Sequence, residues 1–236
     1  MKRPLPNQWL AWLQHHVPFF QEMDETLRQR FLDLLKAFVW DKRFEGAADL
    51  EITDEHRVVI AAAAVRLVLH LDLSFYDHIG TIIVYPYVYR HAPDGQAILG
   101  EVHQSGSMVL SWPSAIKGMK NPVDGDDTAV HEFAHVLDLA DGGFDGTPQL
   151  HRFGDYRSWA RIMSTHFAEL QENLGNRRNV IGDYGATNEA EFFAVASEAF
   201  FEQPERMQKK APDLYHELLR FYQPDEAQKL NKEIIP

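Results

Sequence analysis

Cysteine is absent from all 236 residues of this chain, which excludes disulfide bonds, thiolate metal ligands and cysteine nucleophiles. Any metal site must therefore be built from histidine and carboxylate side chains. The lack of cysteine also fits a reducing compartment, where disulfides do not persist. Because the sequence also shows no recognisable signal peptide or membrane-spanning stretch, we expect a cytoplasmic protein.

Long hydrophobic runs are missing as well. The most apolar stretch, residues 58–69, is interrupted by Arg66 and is far shorter than the roughly 20 residues that cross a bilayer. Near the N-terminus, Gln14, His15 and Pro18 break up the apolar residues before the core of a signal peptide can form. We predict that residues 58–69 form a buried helix and that the protein has no membrane partner.

Basic residues are scarce relative to acidic ones. The 23 lysines and arginines face 35 aspartates and glutamates, which gives a formal net charge of -12. An electric field of this sign repels phosphate backbones and anionic lipids. Direct binding to nucleic acid is therefore not expected.

Apolar residues recur at helical spacing in several segments. Residues 9–38 show this pattern, and so do residues 54–73, where Asp54 is placed to cap the helix. Further helices are predicted over residues 156–174, 189–201 and 212–221. Between these helices, β-branched and turn residues predict strands over residues 81–85, 97–102 and 107–112, with a turn at Gln104-Ser105-Gly106.

The order of these elements predicts an α+β fold that is mostly helical and has a small mixed sheet. With a hydrophobic content of 45%, the chain is expected to form one core, so we predict a single domain over residues 1–236. Residues 1–75 would form a helical layer. Residues 76–236 would hold the sheet, the metal-binding helices and the C-terminal helices.

The string HEFAH, from His131 to His135, is the clearest chemical motif in the chain. It falls in a predicted helix that starts near Asp127 or Thr128, and four residues make about one helical turn. Both imidazoles therefore project from one face and can bind a single zinc ion, with Glu132 beside the open coordination position. The alternative is that two of the 12 histidines share this spacing by accident. The apolar residues around the motif argue against this alternative.

A catalytic zinc ion usually has three protein ligands, so one more is needed. In the form of the motif that has a third histidine ligand, this histidine would stand at position 141. The chain has Asp141 there, which excludes that form. Acidic residues lie within an apolar helix at Glu191 and Glu198, which share one face. Glu191 could equally be the third residue of a capping box begun by Asn188, and Glu198 could be a solvated helix residue. The spacing leaves these alternatives open.

Three segments resemble the Mlc titration factor A family of zinc peptidases, and they occur in the order found in that family. They are LGEVHQSGSMVLSW (99–112), AVHEFAHVLD (129–138) and DYGATNEAEFFAVASEAFF (183–201). The resemblance covers about the C-terminal two-thirds of the chain, and the N-terminal third matches only as a helical layer. It implies a zincin-like fold, distantly similar to the catalytic domain of anthrax lethal factor.

The same resemblance assigns roles to individual residues. Beside His131 and His135, with Glu132 as the catalytic base of the motif, it implies a glutamate as the third zinc ligand, which falls on Glu191. It also implies that Tyr184 lies near the metal and could stabilise the transition state, although Tyr184 could equally be a loop tyrosine with a packing role. It also implies hydrolysis of peptide bonds, with aminopeptidase-like activity on a peptide or protein substrate.

Two other functions stay open. Members of the family are reported to bind the glucose-uptake repressor Mlc, so the chain could instead be a regulatory protein that sequesters such a repressor, with a latent or structural zinc site. A structural domain without zinc is the third interpretation.

Residues around the motif are candidates for supporting roles. We expect the substrate to lie along an exposed strand edge at residues 107–112, on the strength of the resemblance. Asp138, one turn after His135, could orient a metal ligand, or it could simply be a solvated residue near the end of the helix. Glu198 is an alternative for the orienting role. His103 could line the cleft.

Overall fold

The computed structural model describes residues 5–90, 97–98, 100–103 and 106–234. The chain divides into two compact units. The first consists of the described parts of Met1–Leu69, Leu73–Pro122 and Asp127–Phe133, and the second of those of His70–Asp72, Val123–Asp126 and Ala134–Pro236. The predicted single domain stays a prediction.

Six helices lie wholly or partly in the first unit: α1 (Asn7–His16), α2 (Pro18–Glu22), α3 (Glu25–Asp41), α4 (Asp54–Val68), α5 (Trp112–Lys120) and the start of α6 (Thr128–Asp138). A short 3-10 helix covers Leu73–Tyr76. The predicted N-cap of α4 was wrong by one residue. Thr53 is the cap, because its hydroxyl accepts a hydrogen bond from the His56 backbone N–H, while Asp54 begins the helix.

Helix α4 is the core of the first unit. Every residue from Val58 to Val65 is buried, and α1 and α3 pack against this helix. The prediction of a buried helix is confirmed, although α4 ends at Val68 rather than at residue 73. Within the described part of the chain, no helix is long and apolar enough to cross a membrane.

A four-stranded sheet completes the first unit. Its strands, in spatial order, are β1 (Arg43–Gly46), β2 (Thr81–Tyr85), β6 (Ser107–Ser111) and β5 (Gly100–His103). The first three run parallel, and β5 is antiparallel to β6. Two short strands, β3 (Tyr89–Arg90) and β4 (Ala97–Ile98), form a separate antiparallel pair. The predicted α+β class with a small mixed sheet is therefore confirmed.

The predicted substrate edge at residues 107–112 was wrong. Strand β6 is paired with β2 on one side and with β5 on the other, so it presents no open edge. It also stops at Ser111, whose hydroxyl accepts a hydrogen bond from the Ser114 backbone N–H and caps α5. Strand β5 is the edge strand on this side. Gln104 and Ser105, in the predicted turn between β5 and β6, lie outside the described residues.

The second unit is helical in its described part. It contains the end of α6, then α7 (Asp155–Glu172), α8 (Glu189–Glu202), α9 (Pro204–Lys210), α10 (Pro212–Tyr222) and α11 (Pro224–Ile234), with 3-10 helices at Leu139–Asp141 and Asp183–Ala186. Helices α9, α10 and α11 all begin with proline, which suits the first helical position because its backbone nitrogen needs no partner there. Aromatic rings of Trp159, Phe193 and Phe221 pack edge to face in the core.

Candidate metal centre

Helix α6 carries the HEFAH motif and is fixed at its start by Asp127. The buried Asp127 carboxylate accepts hydrogen bonds from the backbone N–H groups of Ala129 (2.9 Å) and Val130 (3.1 Å). This capping satisfies donors that have no partner within the helix. The helix begins at Thr128, as predicted.

Three of the predicted site residues meet in space. One ligand atom from each of His131, His135 and Glu191 can be chosen so that all three lie within 4.8 Å of one another. The His135 Nε2 and Glu191 Oε2 atoms are 3.2 Å apart. Ligand atoms at about 2.1 Å from a tetrahedral zinc ion lie about 3.4 Å apart, so this spacing fits one ion. Two imidazoles and one carboxylate are also a donor set that zinc accepts.

Glu191 reaches the cluster from the first turn of α8. The Asn188 side chain accepts a hydrogen bond from the Glu191 backbone N–H at 2.9 Å, so the predicted cap is present. The Glu191 carboxylate, however, points to His135. The bond from the Glu191 N–H to Asn188 is one of the two bonds of the predicted capping box, while the Glu191 side chain is directed to the cluster. Its role as a metal ligand stays a prediction.

A glycine on the loop after α6 holds this first turn in place. Gly146 has a φ of 78°, and a Cβ there would lie 2.8 Å from the carbonyl carbon of Glu189. Its N–H donates to the Asp138 carboxylate at 2.9 Å, and its carbonyl accepts from the Trp159 indole at 3.0 Å. Only glycine combines this backbone conformation with so close an approach. The loop thereby links the ends of α6 and α8.

Glu132 is buried and lies against Gly100 of strand β5. A Cβ at position 100 would overlap the Glu132 side chain, lying 2.5 Å from its Cδ and 2.6 Å from its Oε1. Glycine at this position therefore leaves the room that the Glu132 carboxylate occupies. Sequence reasoning missed Gly100, although it lies in one of the segments that carry the family resemblance.

Asp138 is completely buried, which rules out the interpretation that it is merely solvated. Burial raises the pKa of its carboxyl from an ordinary 3.8 to about 6, although hydrogen bonds from the Gly146 and Thr147 backbones oppose the shift. Its Oδ1 atom has no hydrogen-bond partner among the described residues. Glu198 is also buried, so it is not a solvated helix residue either. The role of either residue in orienting a metal ligand stays a prediction.

Tyr184 lies in the 3-10 helix that packs against α8, and its side chain is 61% exposed. Its catalytic role stays a prediction. His103 lies at the end of edge strand β5, where its Nδ1 atom is 3.8 Å from Glu101 Oε1. Its position in a cleft is likewise a prediction.

A helix that presents two histidines around a buried glutamate, with a second glutamate from another helix, is the arrangement of a metallopeptidase. The comparison with known families agrees. The sequence model of the protein family described as glucose-regulated metallo-peptidase M90 matches residues 1–223 of the chain. The chain belongs to this family. The resemblance to the Mlc titration factor A family is thereby confirmed.

Individual relatives cover nearly the same length. An uncharacterized protein of Synechocystis sp. is 36% identical over 234 residues, which are 94% of this chain and 85% of the relative. Proteins named Mlc titration factor A from Yersinia pestis and Yersinia pseudotuberculosis are 27% identical over 240 residues, covering 95% of this chain and 87% of each relative.

Proposed function

We propose that the chain is a zinc-dependent peptidase with a zincin-like fold. The observation that carries the proposal is the meeting of His131, His135 and Glu191, with donor atoms close enough for one ion. Imidazole ligands favour zinc over magnesium or calcium, which prefer all-oxygen sites. Membership of a metallopeptidase family supports the same conclusion.

When bound, zinc would polarise the peptide carbonyl and acidify water at the site. Glu132 then acts as general base, taking a proton from the attacking water and passing it to the leaving amine. Burial beside Gly100 limits the positions open to its carboxylate, so this base is preorganised. We assign Tyr184 as the donor to the developing oxyanion.

The substrate backbone pairs with edge strand β5 in this proposal. The outer edge of β5 has no partner strand among the described residues, and its first residue, Gly100, lies against Glu132. Main-chain hydrogen bonds to such an edge bind an extended peptide whatever its side chains. A peptide held there would pass the catalytic base.

The second candidate function is binding of a transcriptional repressor, with or without peptidase activity. The relatives named Mlc titration factor A favour it, and the net charge of -12 would attract a basic DNA-binding domain. In this case the zinc site would be latent or structural.

A single experiment separates the two candidates. The purified protein and its Glu132→Gln variant, both with zinc quantified, are incubated with a diverse peptide library, and every cleavage is detected by mass spectrometry. We expect the variant to keep its zinc and to lose about 100-fold to 10,000-fold in rate, because only the general base is removed. A Glu189→Gln variant, altered at an exposed position, serves as the control.

An equally active, zinc-loaded Glu132→Gln variant would refute the assignment of the base. Zinc-loaded parent protein that cleaves no peptide would favour the repressor-binding function. The cut positions decide between the aminopeptidase-like activity we propose and internal cleavage, since only the former releases N-terminal residues one at a time.

A further inference from the structure

An exposed aromatic ring lies directly beside the metal cluster. The ring centroid of Phe144 is 5.0 Å from that of His135, with the two planes tilted by 37°. His135 is only 4% exposed, whereas Phe144 is 45% exposed. One side of the phenyl ring therefore covers the imidazole while much of the ring stays open to solvent.

The loop that carries Phe144 is held at both ends. On one side, the Asp141 carboxylate accepts a hydrogen bond from the Gly143 backbone N–H at 2.9 Å. On the other side, Gly146 is fixed by its hydrogen bonds with Asp138 and the buried Trp159. Holding the backbone on both sides of Phe144 reduces the loop ordering that contact with a ligand would otherwise require, which favours binding.

We propose that Phe144 is a specificity-determining residue that contacts an apolar side chain of the substrate next to the scissile bond. The inference rests on the proposed peptidase function, because it places the substrate at the His131, His135 and Glu191 cluster. Contact between a substrate side chain and the open part of the ring removes apolar surface of both from water.

Charge on the same loop sharpens this preference. Asp141 and Asp145, both exposed, flank Phe144 in sequence and would repel an acidic substrate side chain. The apolar ring of Phe144 offers no hydrogen-bond partner to a small polar side chain of the substrate, and glycine has no side chain to contact the ring. Leucine or phenylalanine beside the scissile bond is therefore favoured over glycine, and aspartate is the least favoured.

The test uses binding as well as activity. Two peptide hydroxamates, identical except for leucine or glycine beside the zinc-binding group, are titrated by calorimetry into zinc-loaded parent, Phe144→Ala and Phe153→Ala proteins. Phe153 is the matched control, because it is 94% exposed and its ring lies near Tyr156 instead of His135. Zinc affinity is measured for all three proteins by competition with a chelator.

We expect the parent and the Phe153→Ala variant to prefer the leucine compound, and the Phe144→Ala variant to lose about tenfold to 100-fold of that preference. Zinc affinity should stay within about twofold, since an apolar contact is not a metal ligand. Phe144→Leu should recover part of the preference. Cleavage rates of the matching peptide substrates should follow the same order.

Two results would overturn the inference while leaving the proposed function intact. One is an unchanged preference in Phe144→Ala. The other is a loss of zinc affinity that accounts for the change, which would make Phe144 a cover for His135. If the parent protein binds neither zinc nor hydroxamate, the proposed function itself fails and this inference fails with it.

Discussion

Helices α6 and α8 both supply residues to the candidate metal centre, but the candidate ligands on the two helices are placed by different means. On α6, His131 and His135 share a face because four residues make about one turn. On α8, the position of Glu191 depends on the Asn188 cap and on the close approach of Gly146. Ligands on one helix follow from local geometry, whereas a ligand from a second helix requires the right tertiary packing.

The largest expected effect tests the α8 side of this comparison. We expect Glu191→Gln to weaken zinc binding by more than about 100-fold, because changes beyond the ligands themselves already cost up to that much. Competition with a chelator measures the affinity, and Glu189→Gln, two residues earlier on the exposed surface, is the matched control. Parent-like affinity in Glu191→Gln would remove this residue from the ligand set.

The end of α6 gives a prediction about pH. Folding raises the pKa of Asp138 from 3.8 to about 6, so the folded protein holds the proton of this carboxyl more tightly than the unfolded chain does. The resulting contribution of Asp138 to the free energy of unfolding is fully present below pH 3.8 and is lost as the pH rises through 6. Above pH 6 its buried charge costs up to about 3 kcal/mol. The neutral Asp138→Asn variant keeps an oxygen that can accept from Gly146 and should escape this cost.

Chemical denaturation of the metal-free protein at pH 4 and pH 7 tests this prediction. The free energy of unfolding of Asp138→Asn, relative to the parent, should increase between the two pH values. The exposed Asp225→Asn variant should show no comparable increase. A pH-independent difference for Asp138→Asn would show that its ionisation is not linked to folding.

The strand beside α6 offers the next test. Gly100→Ala should lower kcat/KM by about 100-fold, the cost of displacing a catalytic group by roughly 1 Å. Bound zinc should be unchanged, because Gly100 lies against Glu132 and not against a ligand that we assign. Gly80→Ala is the control, since a Cβ there would meet nothing within 4 Å. Equal activity of both variants would show that Glu132 adjusts without loss.

The smallest expected effect concerns the α8 cap. Asn188→Ala should cost about 1 kcal/mol of unfolding free energy, the usual value for a lost N-cap. Zinc affinity should fall less than tenfold, because Glu191 is retained and Gly146 still holds the turn. Asn188→Ser, which restores a capping oxygen, should recover both quantities. Failure of the serine variant to recover stability would assign the loss to something other than the cap.

The same difference between local geometry and tertiary packing explains which parts of the fold could be predicted from the sequence. The helix with both histidines, strand β2 and the buried α4 were predicted because each follows from a local pattern. The order of the strands in the sheet was not predicted. The interpretation of residues 107–112 as an edge was wrong because the pairing of β6 on both sides depends on distant segments.

Smaller features were missed for related reasons. Strand β1 is four residues long and has no fully buried residue, so it lacks a clear alternating pattern. Helix α9 spans only seven residues, too few for a convincing period. The importance of Gly100 and Gly146 lies in atoms of other segments that approach them. A glycine in a sequence does not reveal which neighbour it accommodates.

The position of strand β5 at the edge of the sheet also affects self-association. An open strand edge that can accept a peptide can also pair with the same edge of another copy, and long apolar edges of this kind promote aggregation. Over its described residues, Gly100–His103, this edge is four residues long and carries the exposed, acidic Glu101. Two such edges brought together would place like charges close to each other. The short length and the charge therefore disfavour pairing of two copies through this edge.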